Sequence, residues 1–345
     1  MSIDTASSVE TAHALLQEVR RKATAWLLDH LGPDGEPDGA SVRNGFYRLP
    51  WTLASVGERA RAAQVLTWAE NHALADGDLR EGPARTPFVT GAATYPLTIL
   101  AHGAWVLERY DTARALLDTL EAHYQDPETG GAYMERPEAR TTGRQLLYPT
   151  MQLGLTALAT GRVAMADKVF GWFSRLMAAQ RELPDRLFTM WSPDGLVTTP
   201  EEFLTVTDFR VPLQAFYNPG ISAAFLSRYH AMTGSPAAKA LAQQLLALVG
   251  TGTPAQFDHT QSVQICKFGW GSACAADIDP TGDHLANVIR MAQWYSDSQA
   301  PDGSWLPSGF LVPEPSVADA MQKTAEHLLW VVTMQASLGG RGRQV

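Results

Sequence analysis

Two short constellations in this sequence carry the residue types that proton transfer needs. Asp208 and Arg210 lie in a stretch rich in Pro, Gly, Thr and aromatic residues. A carboxylate beside a guanidinium stays ionised, so it serves either as a base and cation stabiliser or as a structural salt bridge. Asp258 is followed directly by His259, whose imidazole titrates near neutral pH and suits general acid–base work. Tyr95 and Tyr148 each precede a proline, and Tyr217 precedes Asn218-Pro219. A Tyr-Pro step either starts a helix, because proline suits the first turn, or brings phenols together at one cavity mouth. Arg48 and Tyr148 join Asp208, Arg210, Asp258 and His259 as the candidate catalytic groups. Asn44, Tyr47, Tyr95, Tyr217, Asn218 and Lys267 offer hydrogen bonds to a substrate. Trp51, Trp191, Trp270 and Trp305 offer aromatic faces to a sugar ring or a developing cation, with His327 and Trp330 as further cavity candidates.

The elements that hold these residues repeat. Tyr95 to Leu107 reads as an apolar helix, residues 108–111 as a break with Asp111 as N-cap, Thr112 to Tyr124 as an amphipathic helix, and Gln125 to Tyr133 as a turn-rich tail. The same cassette recurs at 46–55 with 59–75, 148–159 with 164–179, 219–232 with 236–248, and 267–276 with 283–298. Helices over 8–31 and 317–338 are left over, and they form a sixth pair if the ends of the chain meet. The first helix of each pair is the more apolar, as a helix buried on most sides should be. The pattern predicts an all-α (α/α)6 barrel of about twelve helices in two concentric rings, forming a single domain over 1–345 with flexible ends at 1–7 and 340–345. An open solenoid would leave two apolar faces unpaired. In the barrel, the segments before the inner helices form the functional rim. Asp277-Ile278-Asp279-Pro280 falls instead at an inner-to-outer break and reads as a capping turn.

The charge of −9 disfavours nucleic acid and anionic membranes as partners. No apolar run is long enough for a membrane span, and the polar N-terminus and two cysteines suit a cytoplasmic protein. The cysteine and histidine spacing fits no metal site, so no metal or other cofactor is expected, and the partner is a small-molecule substrate. The oligomeric state stays open.

The repeated hairpin, with Gln299-x-x-x-Gly303-x-Trp305 and a looser copy from Gln125 to Tyr133, resembles the α/α-toroid proteins. These include terpenoid cyclases, protein prenyltransferases and the six-hairpin sugar enzymes. In terpenoid cyclases this Gln…Gly-x-Trp motif ties neighbouring hairpins together. The resemblance implies a metal-independent cyclase or isomerase acting on a small, partly apolar metabolite, in the manner of a biosynthetic isomerase or lyase. Carbohydrate chemistry, by an epimerase or a glycoside-acting enzyme, is the second expectation, and a non-catalytic ligand-binding toroid the third.

Overall fold

Helix boundaries in the computed structural model follow the punctuation of the sequence. The structure describes residues 3–40, 45–80, 93–199, 205–258, 263–280 and 282–341. Among these are α1 (Ile3–Asp29), α2 (Leu49–Ser55), α3 (Arg59–His72), α4 (Thr94–Val106), α5 (Tyr110–Thr119), α6 (Leu147–Ala159), α7 (Val163–Ala178), α8 (Tyr217–Thr233), α9 (Pro236–Thr251), α10 (Lys267–Ile278), α11 (His284–Ser298) and α12 (Val317–Arg341). Gly57, Glu108, Gly161 and Gly234 stand at the hairpin breaks after α2, α4, α6 and α8, all with positive φ (97°, 64°, 77° and 73°). A left-handed residue there stops the helix and turns the chain back.

The chain divides into two compact units, Leu31–Arg210 and Met1–His30 with Val211–Val345. In the first, α2, α4 and α6 are each followed by an outer partner. Residues 94–104 of α4 and 147–158 of α6 are buried throughout, while α5 and α7 keep a solvated face. In the second, α8/α9 and α10/α11 are the hairpins, and α1 packs along α12, so the first and last helices do pair.

The outer helices are held by one recurring device. Gln125 Nε2 donates to Gly130 O and to Met165 O of α7, at 3.1 Å each. Gln299 Nε2 donates to Gly303 O and to Val19 O of α1, at 3.0 Å each. In both loops a glycine with positive φ lies on the helix that the glutamine reaches. A Cβ at Gly303 would fall 2.7 Å from Lys22 O, and one at Gly130 closer still to Lys168. Loops at Gly35 and Gly77 approach α3 and α5 in the same way. The motif that resembled a family signature is therefore a tie between helices.

Several expected details differ. Asp111 does not cap α5: the helix begins at Tyr110 behind Arg109, without a side-chain cap bond, and Asp111 lies in its first turn, where its charge still suits the dipole. Ile3 to Ser7 are helical, as is Gly340-Arg341. The connection after α7 contains β4 (Arg186–Phe188), β5 (Met190–Ser192), β6 (Gly195–Leu196) and β7 (Val206–Asp208). These join β3 (Gln145–Leu146) in a β3-β5-β6 sheet and a β4-β7 ladder, while β1 (Leu74–Ala75) and β2 (Asp78–Leu79) form a hairpin after α3. Asp279 ends α10 as its C-cap residue, and its carboxylate accepts from Gln243 Nε2 of α9 at 2.6 Å.

The ties give a direct test. Gly303→Ala, which adds a Cβ both at positive φ and against a backbone carbonyl, is expected to lower stability by about 2–4 kcal/mol in denaturant unfolding. Gln299→Ala, which leaves two carbonyls without their donor, is expected to cost about 1–3 kcal/mol.

Candidate functional site

In the unit Leu31–Arg210 the N-terminal parts of α2, α4 and α6 bring five of the candidate residues together: Tyr47, Arg48, Trp51, Tyr95 and Tyr148. Arg48 immediately precedes α2 and is buried at 3% exposure. Its guanidinium lies over the rings of Tyr47 (4.7 Å) and Tyr95 (5.3 Å), and Nη2 donates to Tyr95 Oη at 3.2 Å. Cation–π and hydrogen-bonding partners of this kind offset the cost of burying a cation. Tyr95 meets Tyr148 edge to face at 4.9 Å and Tyr47 at 6.4 Å. One turn along α2, Trp51 stacks on His102 of α4 with ring centroids 3.9 Å apart and planes 14° from parallel. Trp51 is half-buried, and the others are buried. The result is one seam with a guanidinium, three phenols, an imidazole and an indole face. Such groups polarise a carbonyl, relay protons and stack on a ring.

The unit Met1–His30 with Val211–Val345 has its own polar cluster. Lys267, the first residue of α10, donates to Glu326 Oε1 of α12 at 2.5 Å, and Lys323 donates to Oε2 at 2.9 Å. Lys267 Nζ lies 4.9 Å from the centre of the Tyr217 ring and 5.8 Å from that of Trp330. Trp330 in turn stacks on Trp270 at 3.9 Å. His327, next along α12, meets the rings of Trp294, Tyr295 and Trp305 at 6.0, 5.3 and 5.2 Å. Trp305 is fully buried, and its indole N–H donates to Ser298 Oγ at 3.1 Å. Asn218 is buried in the first turn of α8.

The remaining candidates are placed differently. Asp208, in β7, accepts from Arg210 Nε at Oδ1 (3.1 Å), and from Arg210 Nη2 (2.9 Å) and Arg186 Nε (2.8 Å) at Oδ2. The Arg210 hydrogen bonds, helped by Arg186 and opposed by partial burial, hold its carboxyl far below the usual carboxylate range. With both oxygens committed to guanidiniums, the group clamps the β4-β7 ladder. Asp258 is exposed. Trp191 is half-buried in β5. Asn44 and His259 lie outside the described residues.

Sequence reasoning missed Glu326, His102 and Gln152. Glu326 reads as one more charge on a helix, although it is 1% exposed. His102 and Gln152 were legible as isolated polar residues in long apolar helices. Among the described residues no group of three or more His, Cys, Asp or Glu is arranged to hold a metal ion. No described helix is long and apolar enough to cross a membrane.

No protein-family model matches the chain, and no curated protein matches it in sequence. Solved structures do resemble it. A family 76 glycoside hydrolase, an α-mannanase of Bacteroides thetaiotaomicron, is similar over 96% of this chain and 97% of its own, with a TM-score of 0.61 and 11% identity. A D-mannose isomerase is similar over 92% and 97%, with a TM-score of 0.62 and 10% identity. An inactive α-1,6-mannanase of a Salegentibacter species, in complex with α-1,6-mannotetrose, is similar over 93% and 99%, with a TM-score of 0.61 and 10% identity. The fold is thus an all-α, α/α barrel. These likenesses overturn the expectation of a cyclase acting on a small, partly apolar metabolite, together with its terpenoid-cyclase, lyase and biosynthetic corollaries. The physical reason is visible in the ties: Gln125 and Gln299 bond to backbone carbonyls, so the motif reports how hairpins dock and not what reaction occurs.

Two measurements test the electrostatics. Asp208 has a folded pKa below its ordinary value of 3.8, so its contribution is present above about pH 4 and is lost as pH falls further. Asp208→Asn should lower stability at pH 7 by about 1–2 kcal/mol, since both arginines are part-exposed and screened, and the gap should narrow below pH 4. Lys267→Met, which strips a partner from the buried Glu326 carboxylate, is expected to cost about 3–5 kcal/mol, and Lys267→Met with Glu326→Leu distinctly less.

Proposed function

We propose that this chain acts on a carbohydrate and that its reaction is an aldose–ketose isomerisation or an epimerisation. The observation that carries this reading is the seam of Arg48, Tyr95 and Tyr148, a group suited to polarising a carbonyl, in a chain resembling sugar enzymes over nearly its whole length. Arg48 donates into the Tyr95 oxygen, which leaves the phenolic hydrogen directed elsewhere and makes it a stronger donor. Together the two groups suit the carbonyl oxygen of an open-chain sugar. Polarising that oxygen acidifies the neighbouring C–H. A proton then leaves C2 while the oxygen on C1 gains one, giving an enediol; a proton returns to C1 as the oxygen on C2 releases its own. No oxidant or reductant is consumed. Tyr148, edge-on to Tyr95, is the acid–base group assigned to these transfers.

Hydrolysis is the less supported branch. The Salegentibacter mannanase is described as inactive when two consecutive aspartates are replaced. Nowhere in this sequence do two aspartates stand together. Glycoside hydrolysis by the usual route also needs two carboxyl groups facing across the bond to be cut, and the residues described in the seam include no such pair.

Incubation of the purified protein with D-mannose and other aldoses, followed by NMR, should show the ketose or the epimer appearing. Arg48→Met and Tyr148→Phe should each lower kcat by about 10²–10⁴-fold with the fold intact. Cleavage of α-1,6-manno-oligosaccharides, with no change in any free aldose, would contradict the reading.

A further inference from the structure

Gln152 is fully buried in α6, and neither Oε1 nor Nε2 has a hydrogen-bond partner among the described residues. A carboxamide in that state costs the folded chain the desolvation of both a donor and an acceptor, which leucine or methionine would avoid. Its surroundings along the helix are defined by measured contacts. Tyr148, Gln152 and Thr156 are spaced four residues apart and so share one stripe of α6. At one end of the stripe, Tyr148 meets Tyr95 of α4 at 4.9 Å. At the other, Thr156 Oγ1 donates to Thr98 O of α4 at 3.0 Å. Gln152 is therefore bracketed on the α4 side, one turn below the phenols of the seam.

We infer that the Gln152 carboxamide is the group that reads the sugar's hydroxyls beyond the carbonyl end, and so helps set which sugar binds. This deepens the carbohydrate reading given above and rests on it. An amide presents an acceptor and a donor side by side, which matches two neighbouring hydroxyls, one donating to Oε1 and the other accepting from Nε2. With the carbonyl oxygen at Arg48 and Tyr95, a turn of helix, about 5.4 Å, places the amide level with hydroxyls a few carbons along the chain. Gln152 is a binding residue in this role: it orients the substrate and takes no part in the proton transfers.

Gln152→Met separates a binding role from a structural one, because the two predict opposite pairings of stability and affinity. Removing an unsatisfied buried amide should raise Tm by about 2–4 °C. Removing a hydroxyl reader should weaken D-mannose binding by about 10- to 100-fold in calorimetric titration, with KM rising and kcat changing less. Tm falling would mean that the amide supports the fold, and would overturn the inference. Unchanged affinity in a variant that folds and turns over normally would also overturn it while leaving the carbohydrate reading intact. If the wild-type chain binds none of the aldoses tested, the carbohydrate reading itself falls and this inference with it. Gln152→Glu, which keeps shape but loses the donor, gives a second readout: selectivity among aldoses that differ at one hydroxyl should change if the amide reads them, and should stay the same if it does not.

Discussion

A helical hairpin has one apolar stripe facing its partner and another that must be covered by the next hairpin, so the fold stands on how successive outer helices are joined. The joint is a backbone contact. At Gly130 and Gly303 the loop leaving an outer helix lies on the main chain of another, and Gln125 and Gln299 lock it by donating across the gap. Because the contact uses carbonyls and a missing Cβ, it holds spacing tightly while leaving the side chains of the inner helices free of that duty. Inner positions can then carry groups that a core would otherwise exclude, such as Arg48, His102, Gln152, Lys267 and Glu326.

Two arrangements stand out among those buried polar groups. Lys267, Lys323 and Glu326 answer one another through charge-assisted hydrogen bonds, and such a network rigidifies its neighbourhood at little net gain in stability. Arg48 and the phenols are arranged differently, with the guanidinium over the Tyr47 and Tyr95 rings and donating to Oη of Tyr95, which itself meets Tyr148 edge to face. Asp208 shows the contrast. An aspartate beside an arginine was a fair candidate base in the sequence, yet a second guanidinium, Arg186, arrives from the neighbouring strand and occupies the same carboxylate.

Much of the architecture was legible because helical periodicity, Gly and Pro are local signals. The hairpins fall within a few residues of their expected bounds, and the pairing of α1 with α12 follows from two unpaired apolar helices needing each other. The short strands after α7 were not legible, since two- and three-residue ladders have no period to detect. In the candidate seam, Arg48, Tyr95 and Tyr148 were picked out from their place at the starts of inner helices, which depends on the repeat alone. Glu326 was missed because a charged residue on an amphipathic helix has the same local appearance whether it faces water or is sealed, whereas Gln152 stood out only as an isolated polar residue in an apolar helix. The chemistry was misread for a related reason: Gln299 and Trp305 drew attention as a signature, while they report the docking of loops and helices.

A crystal structure of the protein soaked with D-mannose tests the central claim most directly. The account predicts sugar density in the seam, with an oxygen within hydrogen-bonding distance of Arg48 and Tyr95 and hydroxyls toward Gln152. Sugar bound elsewhere with the seam unchanged, or no sugar bound under conditions in which the protein turns it over, would contradict it.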